Sequence, residues 1–160
     1  MSLIKGLPLG NLTSQFFANI YLNELDYFVK NKLMAKYYIR YVDDFVILHK
    51  SKEQLEKWKD EINNFLEENL NLELHPDKSR VINLSKGVDF VGFRNFYNYK
   101  LLRKRNIRKM FYIIKRYKNK EISKEKMLET IQGWNSYAKW ADNFKLRTEI
   151  FKNISYLVLL

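Results

Sequence analysis

The chain of 160 residues and 19.5 kDa is 46% hydrophobic and 29% charged, a balance that can bury one good core or a core plus a small bundle, and that excludes a disordered chain and a large multidomain enzyme. It has no cysteine and two histidines, His49 and His75, which excludes disulfide staples, thiolate nucleophiles and histidine or cysteine metal cages and leaves carboxylates as the ligands for any metal. The formal charge of +11 points to a polyanionic partner, and the lack of a bilayer-length apolar run or a signal-like start predicts a cytoplasmic protein with no membrane partner.

Leu7-Pro8-Leu9-Gly10-Asn11 reads as a turn, with Asn11 or Thr13 capping a helix that runs to about Lys30. Phe16, Phe17, Ile20, Leu25, Phe28 and Val29 give that helix a broad apolar face, expected to be buried. Two aromatic and β-branched runs, Tyr37 to Tyr41 and Phe45 to His49, flank Val42-Asp43-Asp44 and predict a hairpin with two acids at its tip. Ser51-Lys52-Glu53-Gln54 has the form of a capping box, and Leu55, Trp58, Ile62, Phe65 and Leu66 recur at helical spacing to about Leu70. Short strands are expected at 72–74, 80–84, 88–92 and 95–99, separated by turns at Pro76 and Gly87.

From Lys104 the period becomes helical throughout: Ile107, Met110, Phe111 and Ile114; then Met127, Leu128, Ile131, Trp134 and Ala138, capped by Ser123; then Leu146, Ile150, Phe151 and Ile154. Charge changes at the same place. Residues 1–100 hold 14 Lys and Arg against 13 Asp and Glu, a net of +1, whereas residues 101–160 hold 15 against 5, a net of +10. The expected boundary therefore lies near residue 100. A concentrated basic segment suits phosphate neutralisation with counterion release, its plain alternative being a solvated basic surface.

Two adjacent carboxylates at a hairpin tip repel one another unless a cation intervenes. Oxygen ligands without imidazole or thiolate favour Mg²⁺ or Mn²⁺. An Asp pair by itself also makes an ordinary turn. Its neighbours decide the reading. Tyr41-Val42-Asp43-Asp44 resembles the Tyr-x-Asp-Asp signature of reverse transcriptases. Gly6-Leu7-Pro8-Leu9-Gly10-Asn11-Leu12-Thr13-Ser14-Gln15, continuing through Leu22, is similar to that family's nucleotide- and template-contacting loop and helix. Leu72-x-Leu74-x-x-x-Lys78 resembles the motif whose lysine lies near the leaving pyrophosphate, and Gly87-Val88-Asp89-Phe90-Val91-Gly92-Phe93 the hairpin that grips the primer. The form Gly-Asn-Leu-Thr-Ser-Gln, with the stretch Gly133 to Asn143, resembles the enzymes of diversity-generating retroelements and related bacterial lineages.

The resemblance implies an α+β fold: a partial polymerase palm over 1–100, with short antiparallel strands and helices on one face, then a helical thumb over 101–160. It implies an RNA-directed DNA polymerase that extends a DNA primer on an RNA template with deoxynucleoside triphosphates, by a two-metal reaction. Asp43 and Asp44 are the implied metal ligands. Gly10 would let backbone approach a nucleotide, Gln15 would bond near the templating base, and Tyr41 would sit beneath the primer terminus, each against a plainer reading as turn, surface or core residue. Lys78 would neutralise pyrophosphate, or else form a surface ion pair with Asp77. Phe90, Val91 and Gly92 would grip the primer, and Arg103, Lys104, Arg105, Arg108 and Lys109 would follow phosphates. The family's active site requires a further aspartate on a strand preceding the Gly10 loop. Met1-Ser2-Leu3 reads as a start added in cloning, so the chain is expected to be an inactive part of a longer enzyme, with an uncovered sheet edge through which copies could dimerise. The competing expectation is a non-catalytic RNA- or DNA-binding module that keeps the same scaffold.

Overall fold

The computed structural model describes residues 12–158; the expected Leu7–Asn11 turn and Gly10 lie outside them. The fold is α+β and divides into two compact units, 1–82 and 83–160.

In the first unit, α1 (Leu12–Tyr21) and α2 (Asn23–Tyr27) continue into a π-helical turn (Phe28–Lys32). The apolar face expected along this segment is only half realised. Leu25 and Val29 are buried, but Phe16, Phe17 and Ile20 are more than half exposed, because the break at Leu22 lets α2 pack on the core while α1 keeps its aromatic residues in solvent. Strands β1 (Tyr37–Tyr41) and β2 (Asp44–Leu48) form an antiparallel pair. Cross-strand partners share a face, so Tyr38, Arg40, Phe45 and Ile47 look one way and Tyr37, Ile39, Tyr41, Asp44, Val46 and Leu48 the other. The apolar members of the first set pack on the core of α2 and α3 (Lys52–Leu70). That core is Leu25, Val29, Ala35, Trp58, Ile62, Leu66 and Leu70, with Phe28 stacked on Phe65 at 4.2 Å. Ser51 caps α3 by accepting from the Gln54 amide at 3.1 Å, and Asn71 ends it in the left-handed conformation.

The strands expected at 72–74 and 80–84 do not form. Leu74 instead packs on the α3 core, its amide bonding the Asn63 side chain at 3.2 Å, and the only regular structure near Leu84 is a 3₁₀ turn over Leu84–Lys86. Two apolar residues with no neighbouring strand to pair with do not make a ladder.

In the second unit, β3 (Val88–Phe90), β4 (Phe93–Asn95) and β5 (Lys100–Leu102) form an antiparallel meander. Of the strand expected at 95–99, Asn95 ends β4 and residues 96–99 are the connection to β5. Helices α4 (Lys104–Lys118), α5 (Lys124–Ala138) and α6 (Phe144–Val158) form a bundle around Met110, Ile114, Met127, Ile131, Ile150 and Ile154. Ser123 caps α5 as expected, and Trp134 packs against the bundle core. The meander belongs with these helices: Phe93 stacks on Tyr137 at 4.6 Å, and Lys100 exchanges two bonds with Asp142. Contacts therefore begin the unit at Asn83, although charge and periodicity change near residue 100.

Candidate active site

The β1–β2 hairpin closes with the Tyr41–Asp44 pair, leaving Val42 and Asp43 as a two-residue turn. Val42 has φ +57° and Asp43 has no positive φ, the sign pattern of a type II′ turn, in which glycine normally takes the first place. A β-branched residue there is strained by about 1–3 kcal/mol. The turn presents Asp43 and Asp44 to solvent, with Asp44 on the same outward face as Tyr41 and Ile39. Tyr41 is 58% exposed, which removes its plainer reading as a core residue. Among the described residues, neither carboxylate has an ion-pair partner, and no third acidic or histidine side chain joins them in a metal-binding group. Two hard oxygen donors without a competing cation fit part of the shell of a Mg²⁺- or Mn²⁺-like ion.

The strain at Val42 has a visible counterweight. Arg40, whose side chain is 10% exposed, donates from Nη1 to the Val42 carbonyl at 2.7 Å and to Asn19 Oδ1 at 3.0 Å. Its Nε and Nη2 grip both oxygens of Asp26 on α2, at 2.8 and 2.6 Å, and Tyr38 Oη also donates to Asp26 at 2.6 Å. Partial burial pushes the Asp26 carboxyl up, but the bonds from Arg40 and Tyr38 and the Arg40 charge hold it below the ordinary carboxylate range. The Asp26 bond raises Arg40, and burial followed by the same carboxylate raises Tyr38. A hydrogen bond from a charged donor contributes about 1.5–3 kcal/mol, comparable to the strain it opposes. Sequence reasoning missed this network. Its signal was an arginine two residues from a tyrosine in an otherwise apolar strand, facing the side that must pack on a helix bearing an aspartate.

The other candidate residues lie around this turn in sequence but are not all joined to it. Gln15 is exposed on α1, and α1 is fastened to the end of α3 by Tyr21 Oη donating to the Leu70 carbonyl at 2.6 Å. Lys78 is exposed in the turn after Pro76, its amide bonding the His75 carbonyl at 3.2 Å. No ion pair joins it to Asp77 or to the Asp43–Asp44 turn among the described residues.

Phe90, Val91 and Gly92 form the β3–β4 turn in the second unit. Val91 at φ +46° and Gly92 at φ +82° give it the sign pattern of a type I′ hairpin. A Cβ on Gly92 would collide with Tyr137 Oη. Of the basic residues, Arg103 is half-buried and turned onto Asp89 at 3.7 Å, so its charge is engaged within the unit. Lys104, Arg105, Arg108 and Lys109 are exposed. With Tyr112 and Lys115 they occupy the face of α4 opposite the buried Met110 and Ile114.

These features fit a known family. The model of the reverse transcriptase (RNA-dependent DNA polymerase) family matches residues 2–95, more than half of the chain. The chain belongs to the reverse transcriptase family. Protein YkfC of Escherichia coli K12 is 28% identical over 134 residues, a match covering 64% of this chain and 34% of YkfC. A putative COX1/OXI3 intron 2 protein of Saccharomyces cerevisiae is 38% identical over 58 residues, covering 36% of this chain and 7% of that protein. The chain thus spans about a third or less of the length of these curated relatives. Reverse transcriptases work on a template and primer with nucleotide substrates and generally use divalent metal ions. No helix among the described residues is long and apolar enough to cross a membrane.

Proposed function

We propose that the chain contributes the acid-bearing turn and part of the nucleic-acid surface of an RNA-directed DNA polymerase, of the type found in diversity-generating retroelements and related bacterial elements. The observation that supports this most directly is a pair of carboxylates, without an ion-pair partner among the described residues, held at the tip of a clamped hairpin inside the segment that matches the family. Asp43 and Asp44 would hold Mg²⁺ or Mn²⁺, together with a carboxylate from elsewhere in the protein. When bound, such ions supply Lewis acidity for nucleotidyl transfer. In that reaction the primer 3′-hydroxyl forms a bond to the α-phosphorus of a deoxynucleoside triphosphate and pyrophosphate leaves.

The remaining residues bind and orient. Tyr41, exposed beside Asp44, offers a flat apolar surface to the primer end; Gly10 and Gln15 serve the nucleotide and the templating base; Lys78 serves the pyrophosphate. The 1–100 segment acts as partial palm and 101–160 as thumb. Phe90, Val91 and Gly92 bear on the primer strand, while Lys104, Arg105, Arg108 and Lys109 contact phosphates without reading sequence. Arg103 supports that surface from its pairing with Asp89. Among the described residues the β1–β2 sheet has two strands and an edge on each, which offers a route to dimers. The compartment is cytoplasmic. The 160 residues by themselves bind template-primer without extending it.

Primer extension on an RNA template with Mg²⁺ or Mn²⁺ tests this, comparing the 160-residue chain, the whole protein, and the whole protein carrying Asp43→Ala. Extension by the whole protein alone, reduced at least about 100-fold by the substitution, is expected. A whole protein that binds template-primer and never extends it would replace the polymerase reading with that of a binding module.

A further inference from the structure

Arg40 is held on one side and holds on the other. Three residues before Asp43, it is pinned by both oxygens of Asp26, and its remaining terminal nitrogen reaches the carbonyl of Val42, the one residue of the acid-bearing turn with positive φ. The Asp26 grip leaves the guanidinium plane little freedom, so the position of the Val42 carbonyl is referred to helix α2 rather than to the hairpin alone. Asn19 on α1 shares the same Nη1, so both helices bear on the turn. A lysine carries the charge but cannot serve two carboxylate oxygens and a carbonyl in one plane.

We propose that Arg40, locked by Asp26, is a positioning residue for the Asp43–Asp44 turn: by holding the Val42 carbonyl it keeps Val42 in its left-handed conformation and fixes the direction in which the two carboxylates are presented. This rests on the metal-binding reading of the turn only for its consequence; the conformational part stands apart from it. Arg40 touches no reacting group and acts through Val42. A purely structural ion pair would fasten β1 to α2 and leave the turn indifferent to its loss.

The test uses the 160-residue chain in three substituted forms: Arg40→Lys, Arg40→Lys with Val42→Gly, and Asp43→Ala. Nuclear magnetic resonance reads the amide-to-Hα coupling and carbon shifts of residue 42, electron paramagnetic resonance reads free Mn²⁺ in a titration, and urea unfolding confirms that each form is folded. In Arg40→Lys, Val42 is expected to leave positive φ and Mn²⁺ affinity to fall about tenfold, as for loss of a group that orients a metal ligand. Glycine adopts the left-handed conformation without strain, so Val42→Gly is expected to recover much of that affinity although Arg40 is still absent. Unchanged Val42 couplings in folded Arg40→Lys overturn the inference, whatever the metal does. Should Val42 shift while Asp43→Ala binds Mn²⁺ as well as the unsubstituted chain, the positioning of the turn stands and the metal-binding reading falls. If Arg40→Lys does not fold, Asp26→Asn, which keeps the shape of the partner and removes its charge, replaces it: a shifted Val42 supports the positioning role, and unchanged couplings overturn it.

Discussion

Among the described residues, the β1–β2 and β3–β4 turns, each of two residues, solve the same backbone problem by opposite means. Both put a valine at positive φ, Val42 at +57° and Val91 at +46°. At Val42 the help comes from a side chain: Arg40, braced by Asp26, bonds the carbonyl. At Val91 it comes from the next residue, Gly92, whose missing side chain lets the turn lie against Tyr137. The first arrangement uses charge and leaves the tip open and acidic, while the second relies on close contact and leaves the tip apolar. A turn that must present carboxylates has no room for a packed cover, so its support has to come from within the sheet face behind it.

The contrast between the turns is widest at Gly92. Alanine there combines a left-handed backbone with a methyl group at the Tyr137 hydroxyl, which is held by stacking on Phe93 and a bond from Asn106. A loss of about 2–3 kcal/mol in urea unfolding is expected, with part recovered when Tyr137→Phe removes the hydroxyl.

A middle-sized effect follows from Asp26. Its carboxyl titrates below the ordinary value of 3.8 in the folded chain, so in acid the unfolded chain binds more protons than the folded one and stability rises with pH. The contribution is complete above the ordinary value and is lost as pH falls through the lowered one. Asp26→Asn should cost about 1–2 kcal/mol at neutral pH and flatten the acid limb of a stability-versus-pH curve below about pH 4. No such flattening is expected for substitutions at the Val91–Gly92 turn, which uses no charge.

The smallest effect is at Val91, which is 42% exposed. Asparagine tolerates the first position of a type I′ turn, so Val91→Asn should stabilise by about 0.5–1 kcal/mol in the same unfolding assay. A destabilisation would mean that Val91 packs on something beyond its own turn.

Much of this was legible in the sequence because it is local. The acid-bearing hairpin, the Ser51 and Ser123 caps and the three C-terminal helices depend on residues at most a few positions apart, and all are present. What depended on distant partners was not. Leu72 and Leu74 have strand-like spacing, but strands require neighbours, and here α3 claims Leu74 first. Phe16, Phe17 and Ile20 have helical spacing, but the break at Leu22 decides which turn of helix meets the core. The candidate site divides in the same way. The two acids could be read from one hairpin, whereas the Arg40–Asp26 pair joins a strand to a helix fourteen residues away. Arg103 looked like one cation among five, and only the fold turns it onto Asp89.

The alternation of β1 gives the Arg40 network one more role. Along Tyr37 to Tyr41 only Tyr38 and Arg40 face the helices, and both bond Asp26. Sliding the strand by a single residue would set Ile39 or Tyr41 where the guanidinium stands, leaving Asp26 without its cation and the outward aromatic row pressed into the core. Asp26 therefore favours one strand register: a hairpin zipped one step out of place forgoes the bonds from Tyr38 and Arg40 and turns its two aspartates to the other side of the sheet.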